Sequence, residues 1–153
     1  MDEPAGIYAR ESSFLDRYVQ LGIAQQRVIS VSFPTTLEEG ASEEHDLLDR
    51  IESYLQGTTD SFDDVEIALT VPTDQRSVLE QLREVPYGDD ITVEQLVRMT
   101  PGLEIDEESD HTLVREALAE NPVPLLIPDH RVRDGPSAAP PPVEQKLRAV
   151  EGL

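Results

Sequence analysis

The spacing of apolar residues changes once along this chain, and that change limits what it can fold into. In "GIYAR" (6–10) and "RYVQLGIAQQRVISVSF" (17–33) apolar and polar residues alternate, the pattern of strands buried on one face. Gly22 interrupts the alternation and marks a bulge or turn. A hairpin or small three-strand sheet is predicted. In "EHDLLDRIESYLQG" (44–57) the spacing becomes helical, with Leu47, Leu48, Ile51 and Leu55 on one side and Gly57 as the stop. "DVEIALTVP" (64–72) reads as one more strand, ended by Pro72.

Beyond that point the pattern is almost wholly helical. Helices are predicted over "DQRSVLEQLREVP" (74–86), "TVEQLVRMT" (92–100), "SDHTLVREALAEN" (109–121) and "VEQKLRAVEG" (143–152). Thr92 and Gln95 have the spacing of a capping box. Ser109 or Asp110 is the expected cap of the next helix. "PVPLLIP" (122–128) reads as a short buried extended segment, and "RDGPSAAPPP" (133–142) as a Pro-rich loop. The fold class is therefore α+β. A small N-terminal antiparallel sheet plus helix spans 1–72. A mostly helical, winged helix-turn-helix-like domain follows over 73–153, its candidate motif formed by the helices near 92–99 and 110–120. Two simply packed helices would give the same pattern.

Composition narrows the chemistry. No cysteine occurs, which removes disulfides, thiolate metal sites and thiol nucleophiles. With only His45, His111 and His130, no metal site is expected, and no cofactor either. No apolar run is long enough to span a membrane, and "MDEPAGIYARESS" lacks the basic and apolar regions of a leader, so a cytoplasmic location is expected. Twelve basic residues against 32 acidic ones give a net charge of −20. The acidic residues are spread over both halves of the chain. Since periodic apolar segments argue against disorder, that dispersion points to a folded protein adapted to a very salty interior, where carboxylates hold water and salt screens their repulsion. Acidity of that origin does not by itself exclude an anionic partner. A monomer is expected.

Three segments together carry a resemblance: "SVLEQLREVPYGDDITVEQLV", "NPVPLLIPDHRV" and a last helix ending in "VEG". They resemble the O6-alkylguanine-DNA alkyltransferases, suicide proteins that flip a damaged nucleotide out of DNA and take its alkyl group onto a cysteine thiolate. "YLQG" (54–57) and the first strands fit the small α+β domain of that family. The family signature Pro-Cys-His-Arg-Val stands here as Pro128-Asp129-His130-Arg131-Val132, preceded by Asn121-Pro122.

The resemblance implies roles position by position. His130 matches the general base, Glu151 the residue that orients it, and Asn121 the residue tying the recognition helix to the active-site segment. Pro86, Tyr87 and Gly88 match the turn before the DNA-binding motif. Tyr87, Thr92, Thr112, Arg115 and Arg131 are the candidate DNA contacts. Other positions depart from the pattern. Asp129 replaces the cysteine, Val93 a tyrosine that rotates the target phosphate, and Thr112 the arginine that fills the gap left by the flipped base. "TLVREALAE" is bulkier than the family's recognition helix and carries Glu116 and Glu120, which meet phosphate with the wrong sign. "GPSAAPPP" shortens the loop that contacts guanine, and its prolines offer few N–H groups.

From these residues the expectation is a protein inactive in alkyl transfer that binds double-stranded DNA containing alkylated guanine in a repair context. The alternative is a member that has become a protein-interaction module without DNA binding. A third reading uses Asp129 and His130 to activate water against a flipped nucleotide. His130, Asn121, Arg131 and Glu151 are also expected to form a buried hydrogen-bond network, and Asp129 beside His130 suggests an Asp-His pair.

Overall fold

The computed structural model describes residues 6–153. The first five residues, over which the leader reading partly runs, lie outside the described residues. Three antiparallel strands open the chain: β1 (Gly6–Ser12), β2 (Arg17–Ala24) and β3 (Arg27–Ser32), in the order β1-β2-β3. Tyr8 faces Leu21 across the first pair and Leu21 faces Val31 across the second, so one face of the sheet carries a row of buried side chains. The register shifts between Gly22 and Ile23, where the sequence places a bulge. A Cβ on Gly22 would run into Ser30 Oγ, so a larger residue here requires the Ser30 hydroxyl to turn away.

The turn joining β2 to β3 has two central residues, Gln25 and Gln26, both at positive φ (52° and 66°). That is the backbone of a type I′ hairpin, normally supplied by Asn-Gly. Exchanging Gln25-Gln26 for Asn-Gly is expected to raise stability by about 1 kcal/mol. A thermal melt in matched salt checks this, and an unchanged or lower midpoint contradicts it.

Helix α1 (Asp46–Leu55) buries Leu47, Leu48, Ile51, Tyr54 and Leu55 and packs on both β1 and the last helix. The His45 ring accepts the Leu47 N–H at its start, and Gly57 stops it at φ +108°. α2 (Thr73–Leu82), α3 (Val93–Met99) and α4 (Glu108–Ala119) pack against one another through Val78, Leu79, Leu82, Leu96, Val97, Val114 and Leu118. α5 (Pro141–Val150) packs on the segment 129–131 and against α1. The capping box at Thr92 and Gln95 is present at the start of α3. The fold is α+β, a small antiparallel sheet with five helices.

Three local expectations are corrected. Residues 64–72 do not form a strand. Ile67 makes one parallel bridge to Val28, through the Val28 N–H to Glu66 O and the Ala68 N–H to Val28 O. Val65, Ile67, Leu69 and Val71 are partly buried by packing on the core, so the alternation reflects side-chain burial without a ladder. The stretch 122–128 is not extended either. Leu125 sits at φ +79° and the Ile127 N–H reaches Val123 O at 2.9 Å, which folds the chain into a tight turn. Asn121 closes that turn: its side chain accepts the Val123 N–H and donates to Ile127 O. Finally, α4 starts at Glu108, and neither Ser109 nor Asp110 caps it. The Asp110 carboxylate accepts the Glu104 N–H and so orders the preceding loop.

Candidate functional site

Residues Asp129–Arg131 form one 3-10 turn after the fold-back at 123–127. With three residues per turn, successive side chains leave the axis about 120° apart. Asp129, His130 and Arg131 are neighbours in sequence yet point into different surroundings, and all three are buried. The expected Asp-His pair is therefore not formed.

Asp129 is fully buried, at 0 % exposure. It accepts hydrogen bonds from Ser137 Oγ, from the Ala138 N–H at 2.9 Å and from Asn121 Nδ2 at 3.1 Å. Burial pushes its carboxyl up to about 6, outweighing the three donors, with Glu144 on α5 adding to the rise. Two of the donors come from the Pro-rich loop. The alanine N–H groups of that loop are thus turned inward, Ala138 to Asp129 and Ala139 to Ser137 Oγ. A shallow groove of about 300 Å³ lies outside, bordered by Phe33, Pro34, Asn121, Pro124, Ala138 and Pro140. Asn121 and Ala138 stand between it and Asp129.

His130 faces the other way. Its Nε2 lies 2.6 Å from Glu151 Oε2. Burial lowers the His130 pKa and outweighs the attraction of Glu151, so the pair is a neutral imidazole donating Nε2–H to a carboxylate. Nδ1 is then an acceptor, and it has no hydrogen-bond partner among the described residues.

Glu151 is the centre of this second cluster. It accepts from Arg131 through Nε at 2.8 Å and Nη2 at 3.0 Å, from the Gly88 N–H at 3.0 Å, and from the Tyr54 hydroxyl. Burial alone would raise the carboxyl. The donors, His130 and Arg131 foremost, instead hold it well below the usual carboxylate range. The remaining reach of Arg131 goes to Val85 O at 2.7 Å, so its guanidinium is spent inside the protein. Tyr87 donates to Val150 O and stands edge-on to the Tyr54 ring. Burial and the neighbouring Glu151 raise the Tyr54 hydroxyl far above its ordinary value, so it stays protonated as a donor. On the solvent side, Asp90 bridges Arg133 and Arg148, and Arg148 also donates to His130 O.

The expected buried network is thus two clusters, Asn121 with Asp129 and His130 with Arg131 and Glu151. Tyr54 and Ser137 complete them, although neither was singled out by the sequence. The available signal for Tyr54 was an aromatic with a polar tip on the apolar face of α1, since such a hydroxyl needs a partner once buried.

The other candidates group at the helix pair. Residues 100–107 join α3 to α4. Thr92 caps α3, and Thr112 and Arg115 are exposed on one side of α4. Asp134 joins these parts: its carboxylate accepts the Val93 N–H at 2.7 Å and its carbonyl accepts from Arg115 at 3.0 Å. Val93 itself is buried, and a Cβ on Gly135 would come within 3.1 Å of its Cγ2. His111 Nε2 is engaged by Ile105 O. The structure thus brings Thr92, Thr112 and Arg115 towards one surface, while Tyr87 and Arg131 belong to the Glu151 cluster.

Residues 73–139 match the family model for the 6-O-methylguanine DNA methyltransferase DNA binding domain. The chain is 32% identical over 108 residues to a methylated-DNA–protein-cysteine methyltransferase of Methanopyrus kandleri, covering 69% of this chain and 77% of that protein. A protein of the same description from Metallosphaera sedula is 26% identical over 110 residues, with 70% and 66% covered. Among solved structures, the fold resembles a Mycobacterium tuberculosis protein crystallised in complex with DNA. The TM-score is 0.71 at 19% identity, with 96% of this chain and 91% of that one covered. A Pyrococcus kodakaraensis O6-methylguanine-DNA methyltransferase superposes with a TM-score of 0.67, also at 19% identity, over 97% of this chain and all of that one. Together with the signature turn and the helix pair, these matches establish that the chain belongs to the methylated-DNA–protein-cysteine methyltransferase family, as a member with no cysteine.

Proposed function

We propose that this is an alkyltransferase-like protein that binds DNA in a repair context and does not take alkyl groups from it. The observation that carries the reading is the state of Asp129. It stands at the signature's acceptor position, is fully buried, and already has three donors on its two oxygens. A carboxylate in that state has no face open to a substrate carbon. The DNA-binding part of the reading rests on the α3–α4 pair within the family match. We place the boundary of the DNA-binding unit at 73, where that match begins, with 1–72 as the N-terminal unit.

The DNA contacts are narrowed to Thr92, Thr112 and Arg115, with phosphates as the partners of the arginine. Binding is measured with plain and O6-methylguanine duplexes in molar KCl, the condition the −20 charge calls for. Retention of neither duplex, with salt lowered stepwise as a control, defeats the reading. Arg115→Ala is expected to weaken binding to both duplexes alike and to reduce the salt slope by about 1.

One observation favours a second reading. Residues 104–120 carry Glu104, Asp106, Glu107, Glu108, Asp110, Glu116 and Glu120 against Arg115 alone. A segment so charged repels phosphate and suits a basic protein surface, which would make this a protein-interaction module. Nuclease treatment separates the two: capture of a defined partner that survives it supports the module, and capture that disappears supports DNA.

A further inference from the structure

We propose that the segment 135–140 is a gate over the groove beside Asn121, and that Asp129 is its latch and thereby sets whether bound DNA is read for its lesion. The inference rests on the DNA-binding reading for its effect on specificity, but the latch itself is a property of the free protein.

The segment is fixed at three places. Gly135 is seated where a side chain could not fit, since a Cβ would come within 2.8 Å of Leu118 and 3.1 Å of Val132 and Val93. Pro140 opens into α5. Ala139, beside that second end, is buried in the core, and between the two ends the attachment to the rest of the protein runs through Asp129, which accepts from Ser137 Oγ and the Ala138 N–H. The third donor, Asn121, is independently held by Val123 and Ile127, so it stays in place if Asp129 is removed. Pro136 and Pro140 limit the backbone freedom of the intervening residues, so release moves them as a short stiff unit.

The groove on the outer side has the walls a flat aromatic guest needs. Phe33, Pro34, Pro124 and Pro140 are apolar, and Ser32 and Asn121 are polar. It is shallow because Ala138 and Asn121 turn their N–H groups inward to Asp129. With the latch closed an extrahelical base meets the loop. With the latch released, the loop is free to leave the groove floor and the same N–H groups become available to a base.

Two variants test this. Asp129→Ala removes the acceptor, and Ser137→Ala removes one donor while leaving Asp129 intact. Hydrogen exchange of the Ala138 amide reads the latch without any DNA. Exchange at Ala138 is expected to speed up at least about tenfold in Asp129→Ala and by less in Ser137→Ala, with β2 amides unchanged in both. Affinity for a duplex with one O6-methylguanine, divided by that for the same duplex unmodified, reads the gate. That ratio is expected near one for the parent and about tenfold higher or more in Asp129→Ala. Unchanged Ala138 exchange in both variants, or equal acceleration of the β2 amides, overturns the latch. Faster Ala138 exchange with the parent's ratio overturns the gate. If no variant holds either duplex, the DNA-binding reading fails, and the exchange result alone decides the latch.

Discussion

Glu151→Ala is expected to cost about 3–5 kcal/mol of stability, the usual penalty for stripping one partner from a buried charge pair. Glu151 is the common acceptor for Arg131, His130, Tyr54 and Gly88. Its loss leaves the Arg131 guanidinium, only 5 % exposed, with Val85 O as its one remaining acceptor. Three further donors lose their acceptor at the same time. A domain of this size has about 5–15 kcal/mol in total, so the variant is left close to unfolding. Glu151→Gln preserves the shape but removes the charge that answers Arg131, and an intermediate loss is expected. Urea denaturation in matched salt measures both. A loss below about 1 kcal/mol for the alanine variant would mean that the cluster is not a structural centre.

Asp129→Asn is expected to change the pH dependence of stability in a direction opposite to the usual carboxylate. Most native carboxylates are held low and lose their contribution in acid. Asp129 is held high, at about 6, against an unfolded value of about 3.9. Between those values the native state keeps a proton that the unfolded chain has released. Stability from this group therefore falls as pH rises from about 4 to about 6 and is level above that. A difference of about two units corresponds to about 3 kcal/mol. The asparagine variant has no such titration. Glu151 and His130 titrate in both proteins and cancel in the comparison. The variant should therefore gain about 3 kcal/mol on the parent between pH 4 and pH 7, with no further change at higher pH. Parallel pH profiles for the two proteins would show that the Asp129 carboxyl titrates as it does in the unfolded chain.

Local patterns were enough to read the sheet, the bulge at Gly22, the helices and the Thr92 cap, because each depends on residues within a few positions. Alternation misled at 64–72, where half-burial against a core imitates a strand face. It misled again at 122–128, where the Asn121 side chain folds the apolar run back on itself. At the site, the identities of Asn121, Asp129, His130 and Glu151 were legible from the signature, but their pairing was not. Adjacency suggested Asp129 with His130, whereas the 3-10 turn separates them. Ser137 and Ala138 for one, Glu151 and Tyr54 for the other, are supplied by segments that only the tertiary fold brings near.

The partners of Glu151 also bear on the order in which the molecule folds. They lie 20, 21, 63 and 97 residues away along the chain. Each closes a long loop whose entropy is lost before the contact returns anything. The sheet and the individual helices need no such closure. The carboxylate is therefore expected to be engaged after the transition state, as the last helix docks on α1 and the segment 129–131. Weakening it is then expected to hasten unfolding and leave the folding rate nearly untouched, which folding and unfolding rates of Glu151→Gln check, so that the Glu151 cluster would set the lifetime of the native state more than the speed of reaching it.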